Sequence, residues 1–148
     1  MRVRDAVRKG AVKVEAATTV VAAAQLMDRA GVGTVLVTDG ELLVGIATDR
    51  DLVVRGLARR LPLDARIDAV MSTPLTTVQA DADLEEAVRA FAEHPVRRLP
   101  VLDGETVVGV VTADDLIVDL VNDLDRVLRP VTAQVLFSGP QPRTPATA

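Results

Sequence analysis

The sequence predicts a mixed α/β (α+β) fold: two copies of one β-α-β-β-α unit packed sheet to sheet about a pseudo-twofold axis. Three observations predict it. The octet Gly45-Ile46-Ala47-Thr48-Asp49-Arg50-Asp51-Leu52 recurs 64 residues later as Gly109-Val110-Val111-Thr112-Ala113-Asp114-Asp115-Leu116. Asp39-Gly40-Glu41 returns at the same offset as Asp103-Gly104-Glu105, as do Val14 at Val78, Val37 at Val101 and Val44 at Val108. Residues 3–58 therefore lie over 67–122 without a gap, and any site should be sought twice. Third, a chain of 148 residues is about one domain's worth, so two halves of this size should bury their sheets against each other. The expected layout is a repeat over 1–58, a linker over 59–66, a repeat over 67–122, an extension over 123–137 and a tail over 138–148.

Val3 to Val7 is a short amphipathic opening that matches Ile67 to Met71, and Gly10 and Pro74 would each stop a helical turn. Val12 and Val14 alternate with Lys13 as in a short strand. Thr18 or Thr19 then offers an N-cap for a helix with Val20, Ala23, Ala24 and Met27 on one face, ended by Gly31 and Gly33. Thr34 to Val37 is β-branched enough for a buried strand, Asp39-Gly40 signals a type I′ hairpin, and Leu42 to Val44 returns antiparallel. Gly45, inside the returning strand, marks a bulge or lets another backbone or a ligand come close. Thr48 caps a second helix to about Leu57. The segment 59–64, Arg-Arg-Leu-Pro-Leu-Asp, has the polarity and proline of a short linker.

In the second half, Asp83 and Glu86 have the spacing of a capping box for a helix ending at Glu93, with Leu84, Ala87, Val88 and Phe91 facing the core. His94-Pro95-Val96 breaks that helix, Arg97 to Val101 leads into the next strand, Asp103-Gly104 turns, and Val107 to Val111 comes back. A last helix from Asp114 continues past the repeat through Leu120, Val121, Leu124 and Val127 until Pro130, which is expected to end it. Val131 to Phe137 has strand character, and the proline-rich end from Ser138 is expected to be disordered.

Composition narrows the chemistry. A formal charge of −4, with 17 basic and 21 acidic residues well mixed, supplies no basic field for nucleic acid, and Phe91 and Phe137 are the only aromatic residues on which bases could stack. With no cysteine and one histidine, neither a disulfide nor a zinc cluster is expected. Met1 runs straight into Arg2, Arg4 and Asp5, and no apolar run approaches the roughly 20 residues that span a bilayer, so the expectation is a cytoplasmic protein without a membrane anchor. An enzyme is not expected, because the sequence offers no activated nucleophile or evident acid–base pair.

Two packed halves should leave clefts bordered by the end of a returning strand and the start of the next helix, where unpaired N–H groups and the helix dipole suit phosphate. Thr48 and Thr112 stand at those helix starts. Asp51 and Asp115, three residues on, are placed to accept hydrogen bonds from the vicinal hydroxyls of a ribose. The same Thr-x-x-Asp spacing is also a capping box, in which the aspartate serves its own helix. Both readings stand at this point.

Gly-h-h-Thr-x-x-Asp-Leu (h apolar) after an Asp-Gly hairpin, twice in a chain of this size, resembles the cystathionine-β-synthase-type (CBS) domain, and the pair resembles a Bateman module. Met71-Ser72-Thr73-Pro74-Leu75-Thr76-Thr77-Val78 is similar to the family's entry segment, and Arg97-Arg98-Leu99-Pro100-Val101 to its first hairpin strand. The layout resembles small stand-alone bacterial CBS-pair proteins. The resemblance implies a regulatory sensor of an adenosine-containing nucleotide, in which Thr48 with Asp51, and Thr112 with Asp115, hold ribose and phosphate. Adenine would lie against Val12 to Val14 with Val32 to Thr34 in the first half, and against Thr76, Thr77 and Val78 with Val96 and Arg98 in the second. Arg97 and Arg98 are candidate phosphate ligands, because guanidinium binds phosphate bidentately. Arg50 and His94 are weaker candidates, and His94 also suits the end of its helix. The first half lacks an arginine pair, so the second site ranks first. AMP, ADP and ATP are the implied ligands, ahead of NADH and S-adenosylmethionine, with no cofactor required. The class also implies a homodimer, covering the apolar helical surface that a mean hydropathy of +0.27 suggests. The alternative is a ligand-free interaction scaffold in which Thr48, Asp51, Thr112 and Asp115 are only caps.

Overall fold

A computed structural model describes residues 1–8, 10–73 and 75–137. The tail expected over 138–148, and Pro74 with its helix-stopping role, lie outside the described residues. The chain forms two three-stranded sheets of identical topology. In the first, β1 (Lys13–Glu15) runs parallel to β2 (Thr34–Asp39), which pairs antiparallel with β3 (Leu42–Thr48). In the second, β4 (Val78–Gln79), β5 (Arg98–Asp103) and β6 (Thr106–Thr112) repeat the pattern.

The registers match residue for residue. Val37 pairs with Gly45 and Val101 with Gly109, and in each hairpin the register then slips so that Val44 or Val108 is left over as a bulge. The turns depart from the type I′ expectation. Asp39 pairs with Leu42 and Asp103 with Thr106, so the central residues are Gly-Glu and not Asp-Gly. Only the glycines, Gly40 and Gly104, have positive φ, whereas a type I′ turn needs it at both central positions.

Helix α1 (Val3–Ala6) opens the chain. Helix α2 (Val20–Ala30) is capped by Thr19, whose Oγ1 accepts from Ala22 N, and ends on left-handed Gly31. It buries Val20, Ala23 and Met27; Ala24, expected on that face, is exposed. Helix α3 (Asp49–Asp51) continues as a wider π-helical stretch over Leu52–Leu57. Helix α4 (Leu84–Glu93) buries Leu84 and Ala87 with Phe91 partly covered, while Val88 faces out. The capping box expected at its start is absent. The Asp83 side chain instead pairs with Arg2 at 3.1 Å, because the opening segment lies over this helix end.

Helix α5 (Ala113–Phe137) corrects two expectations. Pro130 sits inside it, and residues 131–137 are helical and not strand-like. The proline removes one N–H partner from the Arg126 carbonyl, but Arg126 and Pro130 are both exposed, so water can take that place. Propagation from a long existing helix then outweighs the β-branched content of Val131 and Thr132.

The cores exchange their opening segments. Val3 and Ala6 are buried with Val78, Leu84, Leu99, Val101 and Val111 of the second half. Ile67 and Val70 are buried with Val14, Ala23, Val35, Val37 and Ala47 of the first. Val3 N donates to Ala82 O and Arg4 N to Ala80 O, both at 3.0 Å, while Ile67 N donates to Thr18 O at 2.7 Å. Such reciprocal contacts are what an approximate twofold relation requires. Ser72 bridges to Ile46 and covers part of the outer edge of β3.

Candidate functional site

The returning strands β3 and β6 end on Thr48 and Thr112, where the chain turns into α3 and α5. Both threonines cap. Thr48 Oγ1 accepts from Asp51 N at 3.1 Å, and Asp51 Oδ2 accepts from Thr48 N at 2.9 Å. Thr112 Oγ1 accepts from Asp115 N at 3.1 Å and donates its own proton to Asp115 Oδ2 at 2.7 Å. The cap reading is thus realised at both positions, and it leaves Oδ1 of each aspartate outside the cap.

A cleft of about 420 Å³ lies between the halves. One wall is Val12 with Val32, Gly33 and Thr34, from the entrances to β1 and β2; the other is Arg98, Val110, Thr112, Asp114 and Asp115. This crosses the half-by-half grouping expected from the sequence, in which Val12 and Val32 to Thr34 served Thr48 and Asp51. The exchange of opening segments explains it. The segment leading from α1, buried in the second core, to β1 of the first sheet carries Arg8 and Gly10 along the same cleft. Among the described residues, Thr34 Oγ1 is a buried side-chain oxygen without a hydrogen-bond partner, and Thr34 lines this cleft.

Of the nine residues singled out, the cleft gathers Arg98, Thr112 and Asp115. Arg98 and Thr112 are cross-strand partners, so their side chains are set by one register. Thr48 pairs with Thr34 across β2 and β3 and so stands one strand from the cleft wall, with Asp51 in its cap. Thr77 is exposed ahead of β4; Val78 is buried in the second core and Val96 packs against it. Arg97 is exposed, and its carbonyl accepts from Ala113 N at 3.1 Å at the start of α5. Arg50 and His94 are exposed and do not line the cleft. Sequence reasoning missed Arg8. Its guanidinium lies 3.5 Å from Asp115 Oδ1 and also pairs with Asp119. No signal in the repeat could have found it, because the matching position is Ser72.

The CBS domain family matches residues 3–57 and 67–122, and the chain belongs to that family. It is 43% identical over 96 residues to the uncharacterized protein YlbB of Bacillus subtilis, a stretch covering 64% of this chain and 65% of that protein. It is 36% identical over 115 residues to hypoxic response protein 1 of Mycobacterium tuberculosis, covering 76% and 80%. A crystal structure described as hypoxic response protein I with two coordinated zinc ions superposes with a TM-score of 0.70 at 32% identity, over 80% of this chain and 98% of that one. The CBS domain pair of protein MJ0100, in complex with 5′-methylthioadenosine and S-adenosyl-L-methionine, shares the fold with a TM-score of 0.72 at 22% identity, over 83% and 98%. Among the described residues of this chain, no group of three or more His, Cys, Asp or Glu is placed to hold a metal ion, and no helix is long and apolar enough to cross a membrane.

Proposed function

We propose that this CBS pair is a regulatory module, not an enzyme, that binds an adenosine-containing nucleotide in the cleft between its repeats. The observation that carries the reading is the meeting of Thr112, Asp115 and Arg98 with the Val12 and Val32–Thr34 wall in one cleft. Asp115 Oδ1 accepts from the ribose hydroxyls, Arg98 and the start of α5 face phosphate, and the apolar wall takes adenine. The same fold in MJ0100 accepts adenosine compounds. AMP, ADP and ATP stand ahead of NADH and S-adenosylmethionine, and the second-repeat site ahead of the one at Thr48 and Asp51.

The reading includes a cytoplasmic location and a homodimer. Support for the dimer comes from Val53, Val54 and Leu57, exposed on the first repeat, and their counterparts Ile117, Val118 and Val121, exposed on the second. Ligand binding then biases how two halves, and two copies, pack. The ligand-free scaffold remains a second reading, favoured by the way each threonine and aspartate satisfy one another.

Calorimetric titration with AMP, ADP, ATP, NADH and S-adenosylmethionine separates the two. Saturable binding that is lost in Asp115→Ala and kept in Asp51→Ala is expected. Ligand at 100 times its dissociation constant should also add about 2.7 kcal/mol of stability. Silence from the whole panel at millimolar ligand overturns the sensor reading and leaves the scaffold.

A further inference from the structure

Asp115 is already engaged on both carboxylate oxygens. Oδ2 holds the Thr112 hydroxyl at 2.7 Å, and Oδ1 faces the Arg8 guanidinium at 3.5 Å. A ribose diol that uses Asp115 takes up its remaining lone pairs and so competes with both contacts for the carboxylate charge. The Thr112 bond is short, partly buried and part of the helix cap. The Arg8 contact is longer, and the arginine side chain is 47% exposed. Arg8 is therefore the group that yields. It does not leave the cleft, because its other partner is Asp119, one helical turn further along α5, whose side chain is 16% exposed.

We propose that Arg8 makes this cleft select phosphorylated adenosines: it gives up Asp115 to the ribose and takes the phosphate. The inference rests on the reading of Asp115 as the diol acceptor. Arg98 lines the same cleft and makes no side-chain ion pair among the described residues, so a phosphate there meets two guanidinium groups from different halves. Neutral adenosine breaks the Arg8–Asp115 pair and offers the arginine nothing in return. A sulfonium adenosine brings a positive charge to a cleft that also holds Asp114 and Asp115, and it offers Arg8 no acceptor in place of Asp115. A phosphate replaces the lost carboxylate with charge-assisted, bidentate hydrogen bonds. Position matters as well as charge: Arg8 is carried by the segment between α1 and β1, so ligand at the cleft is coupled directly to the exchanged opening segment.

The test uses the full chain, with Arg8→Ala and Arg8→Lys, and three probes: AMP, adenosine and inorganic pyrophosphate alone. Affinities come from calorimetry and pyrophosphate binding from the melting shift. Arg8→Ala should weaken AMP at least tenfold while adenosine binds as well as before or better, with Arg8→Lys between. Pyrophosphate should raise the melting temperature of the parent protein and not of Arg8→Ala. An AMP-to-adenosine ratio unchanged in Arg8→Ala overturns the inference, as does pyrophosphate binding equally to both proteins or to neither. If pyrophosphate binds through Arg8 while AMP and adenosine are silent, the phosphate role of Arg8 stands and the adenosine reading fails. If AMP and adenosine bind with no Arg8 dependence, the reverse holds.

Discussion

Gly45 and Gly109 occupy equivalent positions in the two hairpins, and each is met by a residue of the other repeat's opening segment. A Cβ on Gly45 would overlap the Met71 side chain, with Cγ 2.9 Å away, and one on Gly109 would overlap Cγ1 of Val7, with Cβ 3.4 Å away. The neighbours differ in compliance. Methionine has three rotatable bonds and bends aside, whereas valine is stiff at χ1. Gly109→Ala should therefore cost about 1–3 kcal/mol, the range for overpacking, and Gly45→Ala less than about 1 kcal/mol. Urea denaturation of the two variants checks this; equal costs would show that the strand and not the neighbour sets the limit. The sequence offered a bulge or a close approach as alternatives for these glycines. The structure puts the bulge on the neighbouring Val44 and Val108, and what comes close to each glycine is a side chain, Met71 or Val7, and not a backbone or a ligand.

At the scale of elements, the part of α5 beyond residue 122 has no twin in the first repeat. This part exposes Leu124, Val127, Leu128 and Val131, which continue the stripe of Ile117, Leu120 and Val121 at helical spacing. An apolar stripe of this length on a 25-residue helix is unusual for a monomer and is the face on which the proposed dimer would close. Sedimentation equilibrium should give twice the 15.7 kDa chain mass, and Ile117→Asp with Leu124→Asp should return the monomer without unfolding either core. A parent protein that sediments as a monomer at tens of micromolar would sink the dimer. Pro130 shows where local rules stop short: it forbids one hydrogen bond, not a helix, when the freed carbonyl faces solvent.

For the whole molecule, the exchanged opening segments mean that a residue's place in the sequence repeat differs from its place in the packing. Ile67 belongs to the second repeat in sequence and is fully buried in the core of the first half. Ile67→Ala should destabilise the protein by about 2–5 kcal/mol, the range for a large aliphatic residue cut back in a tight core. Hydrogen exchange locates the effect: protection should fall first in β1 to β3, with β4 to β6 following only as far as the two cores unfold together. Loss beginning in β4 to β6 would contradict the exchange. The same arrangement makes the cleft a property of the pair, since neither half alone carries both of its walls.

The repeat, the β-α-β-β-α order within it and the threonine-aspartate pairs at two helix starts were determined by the sequence alone. They depend on interactions over a few residues, and the offset of 64 states them twice. Tertiary structure decided the rest. Which half each opening segment joins, and hence which wall faces Asp115, depends on packing between residues far apart in the sequence, as when Val3 settles beside Ala82 and Ile67 beside Thr18. Asp83 and Val88 follow the same rule: the spacing suits a capping box and a core face, but Arg2 takes the aspartate and the valine stays 39% exposed. Arg8 is the limiting case. A lone arginine in a connecting segment carries no pattern in sequence, and only the fold brings its charge to Asp115.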